Sequence, residues 1–502
     1  MEKQLAVIPK PVSIEYREGF FQSGGIPVIQ GDDSFRGEIE TVNSQLREDF
    51  KTSADVRKLV ICGRVVRDLD YAHNEAYRLD IGAEQITVTS ASGSGIYHGL
   101  QTFRQLALSE YRDGRLTLPC AEIVDYPRFA WRGFMLDCSR YFYSLPFIKR
   151  LIDVISLHHI NRFHWHLTDD QGWRLPVKEY PLLIETGSRR LDHRFRGTYA
   201  GGFYTEDEIR ELIDYASCRH IEIIPEVDLP GHASAILASY PDLGCTGGPY
   251  HVEDRFGVFE DCLCAGNDRI FDLFEKIINT LVRLFPSGYV HIGGDEVLFN
   301  RWEACPKCQK RLVELGLNNT AELQSWITGR LVQLLAERGK TAIGWDEILD
   351  GSEKFSLPRD TVVMSWRGSQ GGIKASGLGH PVIMAPNDSG CYLDYKHTDD
   401  PEEMGQLWVS TVFQGYSMDP VTPEMTGEEA SRILGGQCNL WSEIIYAGKI
   451  AEYMIFPRLC AIAEAVWTPK QGKNFEDFSR RLAVHRGRLD NLGIHQYRGA
   501  LS

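Results

Sequence analysis

The sequence is short of positive charge. Its 502 residues hold 54 Lys and Arg against 69 Asp and Glu, a formal net charge of −15, and no run of Lys/Arg gathers into a basic stripe. Binding to a nucleic-acid backbone needs such a face, so a nucleic-acid partner is excluded. Long apolar runs are missing as well, and no stretch approaches the ~18 residues of a membrane-spanning helix. Residues 1–10 (MEKQLAVIPK) contain no apolar core of the kind that marks an export signal. A cytoplasmic location follows as the expectation, with the twelve cysteines kept as reduced thiols. Short-period repeats, low-complexity tracts and Gly-rich turns backed by basic residues are absent too, which argues against a phosphate site.

One cysteine pair invites a metal. Cys305-Pro306-Lys307-Cys308 has the spacing of half a zinc site. Its nearest Cys-x-Cys companion, Cys262 and Cys264, has the wrong spacing for the other half, so these residues are taken as structural thiols.

What the chain has is length for a large core and two textures. Residues 1–125 carry alternating segments such as Gln85-Ile86-Thr87-Val88-Thr89-Ser90, the period of half-exposed strands. Helical patterns cover Ser94–Leu108 and Val42–Phe50. These features predict a small N-terminal α/β (α+β) domain without a catalytic cluster, ending near Asp125-Tyr126-Pro127. From 126 to 502, apolar strands at 133–137, 162–167, 221–226, 289–293, 341–345, 361–366, 381–385 and 433–440 alternate with helix-length segments. Leu145–His158 and Asp207–Cys218 are the clearest helices, the first with Ser144 at the cap and Pro146 in its first turn. Eight strand-then-helix repeats predict a (β/α)8 TIM barrel of the α/β class. The connection between the seventh and eighth strands has the weakest helix, because 386–430 reads mostly as loop.

A barrel of this kind carries its chemistry on the loops after its strands. The strand ends and those loops hold Asp137 and Arg140, Asp169 and Asp170, Glu226 and Asp228 with Pro230-Gly231-His232, Asp295-Glu296, Trp345, Trp366, Tyr392 with Asp394, and Trp441 with Glu443. Tryptophans mixed with carboxylates suit a sugar, whose ring faces stack on indole and whose hydroxyls bind acids and arginine. The sharpest stretch is Tyr289-Val290-His291-Ile292-Gly293-Gly294-Asp295-Glu296-Val297: a buried strand that breaks at two glycines and delivers adjacent acids. Glu296 as a general acid calls for a raised pKa, which burial and its neighbour would supply. Spacing alone leaves Asp295 as either a nucleophile or an electrostatic helper. His164-Trp165-His166 admits a rival metallohydrolase reading, but both imidazoles lie before the strand end, where packing and hydrogen bonds usually claim them. A silent sugar-binding barrel is the other alternative, and the intact set of acids argues against it.

Six stretches in order resemble glycoside hydrolase family 20, the β-N-acetylhexosaminidases. They are Leu136-Asp137-Cys138-Ser139-Arg140, residues 163–171 (FHWHLTDDQ), Pro230-Gly231-His232, His291-Ile292-Gly293-Gly294-Asp295-Glu296, Tyr392-Leu393-Asp394 and Trp441-Ser442-Glu443. The resemblance spans nearly the whole chain, small N-terminal domain included. It implies a retaining exo-enzyme acting on terminal β-linked GlcNAc or GalNAc, without a metal or organic cofactor, in which the sugar's own 2-acetamido oxygen is the nucleophile. On that basis Glu296 is the acid/base and Asp295 orients the acetamido group. Arg140, Asp169, His232, Trp345, Trp366, Tyr392, Asp394, Trp441 and Glu443 form the substrate-binding set. Within that set Asp169 and His232 resemble the pair that supports Glu296. The match lapses between His397 and Gly435, where Trp408 is an added candidate.

Overall fold

A computed structural model describes residues 5–51, 54–64, 74–192, 198–351 and 354–502. Among these residues, no helix is long and apolar enough to cross a membrane.

The N-terminal sheet runs in the order Ser13–Ser23, Arg115–Asp125, Tyr77–Ile81, Ile86–Ser90, Ala54–Arg64, Ile26–Gly31. Tyr77–Ile81 and Ile86–Ser90 alternate buried and half-buried residues, because one face of the sheet is covered and strand side chains have period two. Two helices, Arg36–Phe50 and Gly93–Glu110, supply the cover with Val42, Leu46, Ile96, Leu100 and Phe103. The longer helix starts where the Ser92 hydroxyl accepts the Gly95 N–H. The same core takes in Trp467 from the far end of the chain, whose indole N–H donates to the Asp125 carboxylate at 3.0 Å.

Eight parallel strands close the barrel: β1 (Trp131–Asp137), β2 (Arg162–His166), β3 (Glu222–Glu226), β4 (Tyr289–His291), β5 (Thr341–Trp345), β6 (Val362–Ser365), β7 (Val382–Met384) and β8 (Ile433–Leu440). β8 closes the ring against β1, with Leu440 paired to Leu136. Each strand overlaps its sequence-based range. One expectation fails. Among the described residues, β5 and β6 are joined by a 3-10 turn, Asp346–Leu349, with no α-helix. The span 346–361 is short and interrupted by Gly351 and Pro358, so it has no room for a helix and two loops. The connection from β7 to β8 holds two short helices, Val412–Ser417 and Gly427–Ala430.

The barrel interior is partly polar. Glu226, at the end of β3 and fully buried, accepts the Trp345 indole N–H at 2.9 Å and hydrogen-bonds with His166 Nδ1, while His291 Nδ1 and His164 Nε2 each lie 3.0 Å from it. Burial pushes this carboxyl up, but His166, His291 and His164 outweigh it and hold Glu226 well below the usual carboxylate range. The two imidazoles that raised the metal reading are thus committed to Glu226, and His164 also takes the Gln437 amide at 3.0 Å. This network fixes the floor beneath the strand ends.

Candidate active site

The acid pair owes its position to one buried aspartate. Gly293 and Gly294 both adopt left-handed backbone, φ +67° and +97°. A Cβ on Gly293 would collide with the carboxylate of Asp228, whose Oδ1 accepts the Gly294 N–H at 2.9 Å. Asp228 therefore turns the chain at the end of β4 and aims the next two residues at the barrel mouth. Glu296 itself sits at φ +53°, and His232 at +45°. Such strain in non-glycine residues persists where the surroundings enforce it, typically at functional sites.

A pocket of about 630 Å³ opens over the strand ends, well within the range of small-molecule sites. Nine of the eleven residues assigned to catalysis and substrate binding line it: Arg140, Asp295, Glu296, Trp345, Trp366, Tyr392, Asp394, Trp441 and Glu443. Trp345 and Trp441 meet with ring centroids 5.7 Å apart, and Trp366 stacks on Tyr392 at 6.2 Å. Arg140 lies 5.0 Å from the centroid of the Trp441 ring and pairs with Asp169 at 2.9 Å and Asp137 at 3.2 Å. Asp295 Oδ1, Asp394 Oδ1 and Glu443 Oε2 are buried without a hydrogen-bond partner among the described residues. Unmatched acceptors facing a cavity are ready to receive a ligand's hydroxyl or amide N–H groups.

Asp169 and His232, the remaining two, lie outside the pocket lining. They stand behind the acid pair. His232 Nδ1 lies 3.1 Å from both Asp169 and Asp170, while its Nε2 faces Glu296 at 3.6 Å and Asp295 at 3.8 Å. Burial lowers the His232 pKa, but Asp169 and the other acids reverse this and hold it well above the usual imidazole value. A charged imidazolium is the result.

That charge overturns the expectation of a raised Glu296 pKa. Interaction with His232 is the largest influence on Glu296 and outweighs burial, leaving it below the ordinary value. The raised acid is Asp295. Burial and then the Asp228 carboxylate push it well above the carboxylate range, while burial brings Asp228 to about 6. Asp228 and Asp295 thus form an acid pair that shares one proton.

Sequence reasoning missed several residues that matter. Asp228 stands in the sequence only as one of the acids that close β3, and its role appears only where it fills the space left by Gly293. Glu347 accepts the Trp366 indole N–H at 2.8 Å and is pushed by burial, then by Asp295, to about 9. Asn387, Asp388, Tyr395 and Gln406 line the pocket from the long loop before β8. Trp408, the added candidate of the sequence, joins them, 60% exposed, with its ring 5.2 Å from Tyr395.

Comparison with known proteins agrees with this geometry. Residues 129–470 match the description "Glycosyl hydrolase family 20, catalytic domain", and residues 4–126 match "Glycosyl hydrolase family 20, domain 2". The chain belongs to glycoside hydrolase family 20. It is 38% identical to a beta-hexosaminidase of Porphyromonas gingivalis, an alignment covering 99% of this chain but 65% of that protein. A beta-hexosaminidase of Akkermansia muciniphila is 35% identical, with 82% and 83% covered. Among solved structures, the family 20 exo beta-N-acetylglucosaminidase of Vibrio harveyi in complex with N-acetylglucosamine aligns with a TM-score of 0.87 at 31% identity. That alignment covers 98% of this chain and 78% of that one. A mutant Streptomyces plicatus beta-hexosaminidase in complex with its product, GlcNAc, gives 0.87 at 29% identity, covering 99% and 98%. As a family 20 member the chain is a glycoside hydrolase, built as a TIM barrel behind the family's second domain.

Proposed function

We propose that this family 20 hydrolase is an exo-acting β-N-acetylhexosaminidase that removes terminal, non-reducing β-linked GlcNAc or GalNAc with retention of configuration. The observation that carries this reading is the pairing of a solvent-reaching acid, Glu296, with a buried Asp295 in a tryptophan-walled pocket. The terminal sugar's acetamido group lies among Trp345, Trp366 and Trp441, with its carbonyl oxygen accepting from the Tyr392 hydroxyl. Its N–H donates to Asp295. Arg140, Asp394 and Glu443 take the ring hydroxyls.

In the first step Glu296 gives its proton to the glycosidic oxygen, and the acetamido oxygen bonds to the anomeric carbon as the leaving group departs. Positive charge spreads over the resulting oxazolinium ring. The growing positive charge draws the shared proton from Asp295 onto Asp228, so that Asp295 meets it as a carboxylate. In the second step Glu296 takes a proton from water, whose oxygen bonds to the anomeric carbon as the ring opens. Two inversions give net retention. Binding of substrate withdraws water from Glu296, whose side chain is 36% exposed in the free protein, and so moves it toward the protonated form that the first step needs. Asp169 and His232 position Glu296 from behind.

Residues 1–125 act as a non-catalytic scaffold and 126–502 as the catalytic barrel. Twelve free cysteines support residence in a reducing cytoplasm. The test is Glu296→Gln. It should retain the fold and abolish cleavage of β-N-acetylglucosaminides with poor leaving groups, while activated aryl glycosides, which need little proton donation, lose far less. Equal, near-native rates on both would sink the assignment.

A further inference from the structure

Four cysteines from two loops converge outside the catalytic pocket. Cys245 and Cys264 lie on the long loop after β3, and Cys305 and Cys308 on the loop after β4, at the start of the helix Pro306–Glu314. Their sulfurs all lie within 4.8 Å of one another. Cys264 Sγ is 3.6 Å from Cys308 Sγ and 3.8 Å from Cys305 Sγ, and Cys245 Sγ is 3.8 Å from Cys308 Sγ. We propose that Cys245, Cys264, Cys305 and Cys308 bind one structural zinc ion that staples these two loops together.

The spacing carries the argument. Four thiolates at about 2.3 Å from a tetrahedral zinc ion stand about 3.8 Å apart. A disulfide needs about 2.05 Å, which none of these pairs approaches. Buried thiols acting as small hydrophobes have no reason to converge in one tetrahedron. Cys264, Cys305 and Cys308 are buried and Cys245 is half-buried, so the centre would be closed to substrate, as structural zinc sites are. Its surroundings fit. The Gly266 N–H donates toward the sulfurs of Cys264 and Cys308, and a Cβ on Gly266 would collide with the Lys307–Cys308 backbone. The Cys305 sulfur is not spent on capping its helix. Cys262, whose spacing from Cys264 does not suit a half-site, is buried but is not one of the four, and Cys245 pairs with Cys264 instead. Local spacing does not reveal this set, because its second half is split along one loop.

The staple lies close to the chemistry. The Leu263 N–H donates to the Pro230 carbonyl at 3.1 Å, two residues before His232, and the Trp302 indole to the Leu263 carbonyl at 2.9 Å. Zinc would therefore tie the loop carrying Asp228 and His232 to the loop carrying Asp295 and Glu296. The site does not depend on the proposed activity.

Elemental analysis of untagged protein, purified without added metal, should find one zinc per chain. A thiol-blocking mercurial should release it, and the Cys308→Ser variant should lose it. Cys262→Ser, changing a buried neighbour outside the tetrahedron, should keep it. Protein produced with cobalt should show the charge-transfer and d–d bands of tetrahedral tetrathiolate Co(II), which tests the site even if Cys308→Ser does not fold. Folded, zinc-free protein with free thiols would overturn the proposal. So would a disulfide among the four, iron in place of zinc, or zinc retained in Cys308→Ser.

Discussion

Replacing Asp295 by Asn removes the negative charge that this side chain carries once the shared proton has moved to Asp228, and almost no volume. In the proposed mechanism that charge faces an oxazolinium cation at hydrogen-bond distance, in a position only 8% exposed. Two unit charges about 4 Å apart in surroundings of effective dielectric constant about 20 attract by about 4 kcal/mol. The cation exists near the transition state and not in the bound substrate, so the loss falls on kcat. About 4 kcal/mol corresponds to a rate lower by about 10³, with KM changed only a few-fold. The fold should survive, because the Asn amide can donate to Asp228 where Asp295 shared a proton. Steady-state kinetics on an aryl β-N-acetylglucosaminide, alongside thermal unfolding of the same preparation, reads both quantities. A kcat within about tenfold of the parent, or a loss confined to KM, would refute the electrostatic role of Asp295.

Two further outcomes follow from the same geometry. His232 has a raised folded pKa, so its contribution to stability is full below the unfolded value of about 6.5 and lost only as pH rises through the folded value. Glu296 has a lowered one, so its contribution holds above about 4.3 and is lost as pH falls. Ring-nitrogen NMR of His232 in the free enzyme should accordingly show both nitrogens protonated at neutral pH, and a neutral ring there would contradict the ion pair. Trp408→Ala, at the pocket mouth, should raise KM for oligosaccharides by roughly two- to tenfold, the equivalent of about 0.5–1.5 kcal/mol of aromatic stacking. Its kcat should be unchanged, and unaltered KM would remove Trp408 from the binding surface.

The strands were legible because buried parallel strands are apolar runs closed by a change of texture, and each of the eight ends beside a residue that the site uses. The acid pair was legible because a Gly-Gly break before two carboxylates has few structural uses. Three features were hidden for a common reason: each depends on a partner distant in sequence. Asp228 explains Gly293 only once the strands are adjacent. The lowered Glu296 pKa follows from His232, which the neighbouring-acid argument ignored. The cysteine tetrahedron needs Cys245, which no local spacing ties to Cys305 and Cys308. Trp408 reaches the pocket through a short pairing of Gln406–Val409 with Tyr395–Lys396, in a loop where neither helical nor strand period dominates.

The central claim is that the substrate's acetamide, and not a protein carboxylate, attacks the anomeric carbon. Aryl β-glycosides bearing successive fluorines on the 2-acetamido methyl group measure this directly, since each fluorine weakens the carbonyl oxygen as a nucleophile. The account predicts a steep, stepwise fall in kcat/KM across the series, whereas a flat series would contradict it.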